Sequence, residues 1–143
     1  MRRGSRGIAA IPLVAAALLP ACGAAVSDSH EIDEPVTVEH VEGTDVARLT
    51  LTQRAVERLG IQTAPVETDG DRTVVPSAAV FVEPDGTWWV YTSPEPLVFV
   101  RHRISVERDD GELAFLTEGP PPGTRVATVG VPELLGAEYE LGH

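Results

Sequence analysis

The stretch VVPSAAVFVEPDGTWWVYT, residues 74–92, narrows the possible folds more than any other part of the sequence. Two runs rich in β-branched and aromatic residues, the composition typical of strands, flank the segment Glu83–Gly86. Proline at the second position of this segment and glycine at the fourth suit a type I turn that a β-bulge closes. The sequence therefore predicts an antiparallel hairpin, with two adjacent tryptophans just after the bend.

Further strand patterns follow this hairpin at close spacing, each bounded by turn residues. In order they are an alternating run at 97–108, an Asp-Asp-Gly turn at 109–111, a strand from Leu113, a Gly-Pro-Pro-Pro-Gly connector at 119–123, a strand at 125–129, and a short helix that begins at Pro132 and ends at Gly136. Strands at such spacing indicate a mainly β protein, here a small antiparallel β-barrel with one or two short helices.

The segment RLTLTQRAVERLGIQTAPVE, residues 48–67, places a short helix between two extended runs. Leu49 and Leu51 alternate with threonines, as in a strand. Thr52 can cap a helix over Gln53–Leu59, and Gly60 can end it in the left-handed conformation.

The first 21 residues have the pattern of a secretory signal, with a basic start and a short apolar stretch. That stretch is shorter than the ~20 residues that a membrane-spanning helix needs. The only cysteine of the chain, Cys22, follows Leu19-Pro20-Ala21, and this boundary resembles a bacterial lipoprotein signal in which the thiol is lipidated. The alternative is a plain cleaved signal with an incidental cysteine.

Residues 22–45 are acidic and poor in apolar side chains, and they predict a disordered tether. His30 and His40 stand beside glutamates there and are weak candidates for metal ligands, although their spacing is not that of a structural zinc site. All 22 acidic residues follow residue 21, whereas three of the 11 basic ones precede it, and the whole chain carries −11. This charge argues against nucleic acid as a partner.

Two segments resemble the periplasmic adaptor (membrane fusion) subunits of RND-type and hemolysin-secretion-type efflux systems. LTLTQRAVERLGIQTAPVE is similar to the first barrel segment of that family, and VVPSAAVFVEPDGTWWVYT to its Val-Pro strand and following Trp-Val-Tyr strand. The segment from Arg101 to Leu135 is similar to the closing part. The resemblance covers roughly residues 46–136 and leaves residues 137–143 as a C-terminal tail.

The resemblance implies a short form of the adaptor that lacks the lipoyl-like and helical-hairpin parts, because Val66 is followed almost directly by Val74-Val75-Pro76. It implies an accessory lipoprotein on the extracytoplasmic face of the cell membrane, with an inner-membrane efflux transporter as its partner. A stand-alone binding lipoprotein for a metal ion or small ligand is the alternative. No motif predicts an enzyme or a cofactor.

The candidate docking residues are aromatic. Because neighbouring strand residues point to opposite faces, Trp88 and Trp89 cannot both enter one core. Either the domain covers both faces, or one tryptophan, with Tyr91 or Phe99 nearby, is a partly exposed anchor for the membrane partner. His102 lies among valines in its strand and is expected to be buried and hydrogen-bonded. For Arg101 and Arg103 we expect solvated or cross-strand charge roles.

Overall fold

The computed structural model describes residues 34–142. Residues 1–21, where a signal is predicted, and also Cys22 and His30 lie outside the described residues, so the predictions for them stay predictions. The strands are β1 (Val36–His40), β2 (Ala47–Leu51), β3 (Gln62–Pro65), β4 (Glu67–Asp69), β5 (Arg72–Pro76), β6 (Phe81–Val82), β7 (Trp88–Thr92), β8 (Val98–Asp109), β9 (Leu113–Glu118) and β10 (Arg125–Val129). The helices are α1 (Gln53–Leu59), a single 3-10 turn (Ser77–Ala79) and α2 (Val131–Leu141).

The strands form one curled antiparallel sheet, a half-barrel, in the order β3-β10-β7-β8-β9-β5-β4. The pair β1–β2 joins β8, and β6 joins β7. Strand β8 is the longest, and its first half pairs with β7 and β2 while its second half pairs with β9. The predicted class, mainly β and antiparallel with short helices, is confirmed.

The turn between β6 and β7 has the predicted form. The Gly86 amide donates to the Glu83 carbonyl over 2.8 Å, and the Glu83 amide donates to the Thr87 carbonyl over 2.9 Å. Gly86 has φ 84°, a conformation that glycine adopts without steric cost. The Asp85 carboxylate accepts bonds from the Thr87 hydroxyl and amide, which lower its pKa and fasten the turn.

Helix α1 also begins and ends where the sequence predicts. The Thr52 hydroxyl accepts a bond from the Ala55 amide over 3.1 Å, and Gly60 takes φ 65° at the other end. Ala55, on the inner face of the helix, is buried in the hydrophobic core, and Val56 and Leu59 pack against the edge of that core. Local residues therefore define where this helix begins and ends, and packing on the core stabilises it.

The tether prediction is wrong from Val36 to His40. These residues form β1, which pairs with β2 in the register Val36↔Leu51 to His40↔Ala47. Val36 and Val38 point to the core, so the alternating valines of this acidic segment bury enough surface to hold it on the sheet. The remainder of the predicted tether before residue 34 lies outside the described residues.

The C-terminal prediction is also wrong, because α2 continues through Gly136 to Leu141 where a helix end and a tail were expected. The helix is retained by what it buries: Val131, Leu134 and Glu138 lie on one side of it, against the sheet. A single glycine costs a helix about 1 kcal/mol relative to alanine, and this packing outweighs that cost.

Two groups of buried side chains occupy the two faces of β7. Tyr91 belongs to the first, together with Leu49, Phe99 and Leu134. Val90 belongs to the second, which also contains Val66, Val75, Ile104 and Val126. Adjacent residues of one strand thus enter different cores, as the alternation of strand side chains requires.

His102 is exposed, and the prediction of a buried histidine is wrong. It pairs with Val90, whose side chain is fully buried in the second group. That group is apolar and provides no hydrogen-bond partner for an imidazole, so retaining the ring inside would leave a polar group unsatisfied. The ring therefore lies toward solvent.

Candidate functional site

The structure separates the four predicted docking residues. Tyr91 and Phe99 are buried in the first core group, and Trp89 is half-buried. Trp88 is 40% exposed and lies opposite Val82 of β6, which is 53% exposed. We call Trp88 and Val82 the hairpin patch. Trp88 is the most exposed member of the predicted docking set, whereas Val82 was not predicted.

Trp89 is engaged within the domain. Its indole Nε1 donates to the Thr87 hydroxyl over 2.8 Å. The Arg101 guanidinium lies 4.8 Å from the ring centroid, within the range of a cation–π interaction. These contacts use both the polar edge and one face of the indole, and they fix its orientation.

Tyr91 connects the aromatic hairpin to the C-terminal helix. Its ring stacks on Phe81 with the centroids 5.3 Å apart, and its hydroxyl donates to Glu138 Oε2 over 2.6 Å. Burial raises the pKa of Tyr91, and the hydrogen bond to the Glu138 carboxylate and its charge raise it further. The phenol is therefore a permanent hydrogen-bond donor to Glu138.

Arg101 is the centre of a partly buried ionic network. Its Nη1 lies 2.5 Å from Glu83 Oε1, its Nε lies 3.0 Å from Glu138 Oε1, and its Nη2 donates to the Asp45 carbonyl over 2.8 Å. Nε is nonetheless not aligned for a hydrogen bond with Glu138, so that contact is an ion pair alone. Burial by itself would lower the pKa of Arg101, but the charges of Glu138 and Glu83 outweigh it and raise the pKa.

This network differs from the predicted role of Arg101. Its partners are on the turn before β7 and on α2, which the strand pattern of β8 does not identify. One signal in the sequence could have pointed to Glu138: it follows Val131 and Leu134 at helical spacing, so it shares their buried stripe. A carboxylate on such a stripe requires a buried partner. Arg103 is exposed.

A pocket of about 720 Å³ opens at the other end of β7. Its wall includes Leu97, a residue other than glycine with φ 66°. The lining residues are Val56, Ile61, Thr63, Ser93, Pro94, Glu95, Pro96, Leu97, Phe99, Gly123, Thr124 and Arg125.

The second metal candidate, His40, is exposed, and its Nε2 lies 2.9 Å from the Gly142 carbonyl oxygen. Within residues 34–142, no three histidine, cysteine or acidic side chains are grouped as a metal site would require. In the same part of the chain, no helix has the length and apolar character needed to cross a membrane.

Comparisons with known proteins give no match: neither a family model, nor a curated protein, nor a solved structure is similar to this chain.

Proposed function

We propose that this protein is a lipid-anchored extracytoplasmic accessory protein that docks onto an inner-membrane export transporter through the hairpin patch. The resemblance of residues 46–136 to periplasmic adaptors supports the class of partner. The observation that carries the docking proposal is the exposure of Trp88 beside Val82, at the start of a strand in which Val90 and Tyr91 are fully buried.

Tryptophan is among the residue types enriched at binding hot spots, because a large rigid ring loses little entropy when it is covered. The hairpin patch is held in place before any partner arrives. The Asp85–Thr87 bonds fix the turn below it, and the Arg101–Glu83 ion pair ties that turn to β8. Preorganisation of this kind reduces the cost of association.

The docking proposal is tested in cells of the source organism by replacing Trp88 with a photo-crosslinking phenylalanine analogue. A second chain carries the analogue at Thr68, an exposed residue of β4 at the far edge of the sheet. Irradiation should join position 88, and not position 68, to a polytopic transport protein identified by mass spectrometry. Val82→Asp in the first chain should abolish that adduct.

Stability measurements separate docking from folding. Trp88→Ala should lower the free energy of unfolding by about 1 kcal/mol or less, since the ring is substantially solvated. Trp89→Ala should lower it more, because the hydrogen bond to Thr87 and the cation–π contact with Arg101 are lost. Equal crosslinking from positions 88 and 68, or adducts with soluble proteins alone, would contradict the proposal. The lipid anchor is tested separately by the intact mass of the mature chain, which should show an acylated Cys22.

A further inference from the structure

The pocket beyond β7 has the size and lining of a small-molecule site. Sites for small ligands commonly measure ~300–1,000 Å³ and combine apolar walls with a few oriented polar groups. Here Val56, Pro96 and Leu97 provide accessible apolar surface, and Arg125 provides a cation at the margin.

Arg125 is exposed at the margin of the pocket, and its guanidinium is oriented by Thr63. Its Nε donates to the Thr63 hydroxyl over 2.8 Å, and Nη2 donates to the Thr63 carbonyl. A guanidinium has five N–H donors, so three remain for other acceptors. Arg125 forms no ion pair with any carboxylate of residues 34–142, although acidic residues outnumber basic ones two to one in the chain.

Glu95 also lines the pocket, but it is not an ion-pair partner of Arg125. Glu95 is paired with Arg48 of β2. The pocket margin therefore contains one paired acid and one exposed cation, whose remaining N–H groups face no carboxylate of residues 34–142.

A strained residue forms part of the pocket wall. Leu97 has φ 66°, a conformation that costs a residue with a side chain roughly 1–2 kcal/mol. The Leu97 carbonyl accepts a bond from the Leu51 amide over 2.9 Å, so pairing with β2 maintains this geometry. Backbone strain that the surrounding structure sustains is found preferentially at ligand sites.

From this arrangement we infer that the pocket binds an amphipathic monoanion, a molecule with an aliphatic body and a single carboxylate head. The body lies on Val56 and Leu97, and the carboxylate accepts hydrogen bonds from the free N–H groups of Arg125. A dianionic phosphate fits less well, because one guanidinium in a strongly acidic protein compensates one negative charge and not two. This inference does not depend on the proposed docking to a transporter.

The test uses dodecanoate below its micelle-forming concentration and the full chain carrying Cys22→Ser, so that no attached lipid competes. Calorimetry should give saturable binding of one dodecanoate per chain. Arg125→Gln should weaken it about tenfold, as expected for the loss of a charge-assisted hydrogen bond. Arg103→Gln, which removes the same charge from an exposed position of β8, should leave it unchanged.

Two further measurements locate the site and the head group. In amide NMR spectra, dodecanoate should shift Ser93, Leu97, Gly123 and Thr124, and the same spectra show whether each variant is folded. Dodecanol, which has the same chain without the charge, should bind the Arg125→Gln variant and the unsubstituted chain alike. Thr63→Val keeps the shape of the side chain and removes the hydroxyl that orients Arg125, so it should weaken dodecanoate binding without altering the fold.

Four results would overturn the inference. The first is the absence of saturable dodecanoate binding, and the second is an equal loss of dodecanoate affinity in Arg125→Gln and Arg103→Gln. The third is a set of amide shifts confined to residues away from the pocket. The fourth is binding of the protein to phospholipid vesicles without binding to monomeric dodecanoate.

Discussion

Replacing Glu138 by glutamine should destabilise the domain far more than the same change elsewhere on α2. The Glu138 side chain is among the few charged groups in the interior, with the residue 5% exposed. Its Oε1 lies 3.0 Å from Arg101 Nε and accepts a bond from the Ala47 amide over 3.3 Å, while Oε2 accepts from the Tyr91 hydroxyl over 2.6 Å. One carboxylate thus joins β2, β7 and β8 to the C-terminal helix.

The magnitude follows from these partners. Removing one member of a buried ion pair costs about 3–5 kcal/mol, because the remaining charge has lost its compensation. Arg101 retains Glu83 and the Asp45 carbonyl, so we expect the lower end, about 3 kcal/mol. For a domain of this size, such a loss corresponds to a fall in melting temperature of about 10 °C.

Urea unfolding followed by circular dichroism measures this change, and Glu140→Gln is the matched control on the exposed side of the same helix. Tyr91→Phe, alone and combined with Glu138→Gln, completes a double-mutant cycle. The two changes should be less than additive, since Glu138→Gln weakens the charge-assisted hydrogen bond that Tyr91→Phe removes. Equal shifts of the urea midpoint in Glu138→Gln and Glu140→Gln would show that the Glu138 carboxylate does not stabilise the domain in this way.

Two further predictions concern backbone and pH. Gly136→Ala should raise the free energy of unfolding by about 0.5–1 kcal/mol, because an added Cβ meets nothing within 4 Å inside the helix. Gly60→Ala, at φ 65°, should lower the free energy of unfolding. If urea unfolding showed that Gly60→Ala stabilises the domain and Gly136→Ala destabilises it, both predictions would be contradicted. The Leu113 and Glu112 amides hold the pKa of Asp110 below its ordinary value of ~3.9, so the turn is stabilised above that pH and loses this contribution as the pH falls through the folded pKa. A carboxyl NMR titration of Asp110 at or above ~3.9 would contradict this assignment.

The features that sequence reasoning predicted correctly are those that neighbouring residues determine. The Thr52 cap, the Gly60 helix end and the Glu83–Gly86 turn each depend on bonds between residues no more than five positions apart. Residue type alone selects these conformations, so no knowledge of the tertiary structure was needed.

The features that it missed depend on contacts distant in sequence. Strand β1 is stabilised by β2 and by the core beneath Val36 and Val38, whereas its composition is that of a disordered segment. Helix α2 passes Gly136 because Glu138 reaches Arg101, 37 positions earlier in the chain. In each case tertiary packing outweighed a local preference.

The hairpin patch and the pocket lie at opposite ends of β7, so the two proposals can fail independently. Trp88 is the first residue of that five-residue strand, and the pocket begins at Ser93, directly after the last. At ~3.4 Å per residue the ends of the strand are about 14 Å apart. Between them Val90 and Tyr91 are fully buried in different core groups, which leaves the strand little freedom to move. Trp88→Ala should therefore leave dodecanoate binding unchanged, and Arg125→Gln should leave the crosslink from position 88 unchanged. If dodecanoate did alter docking, the partner would have to alter dodecanoate affinity by the same factor, because coupling between two binding sites is reciprocal.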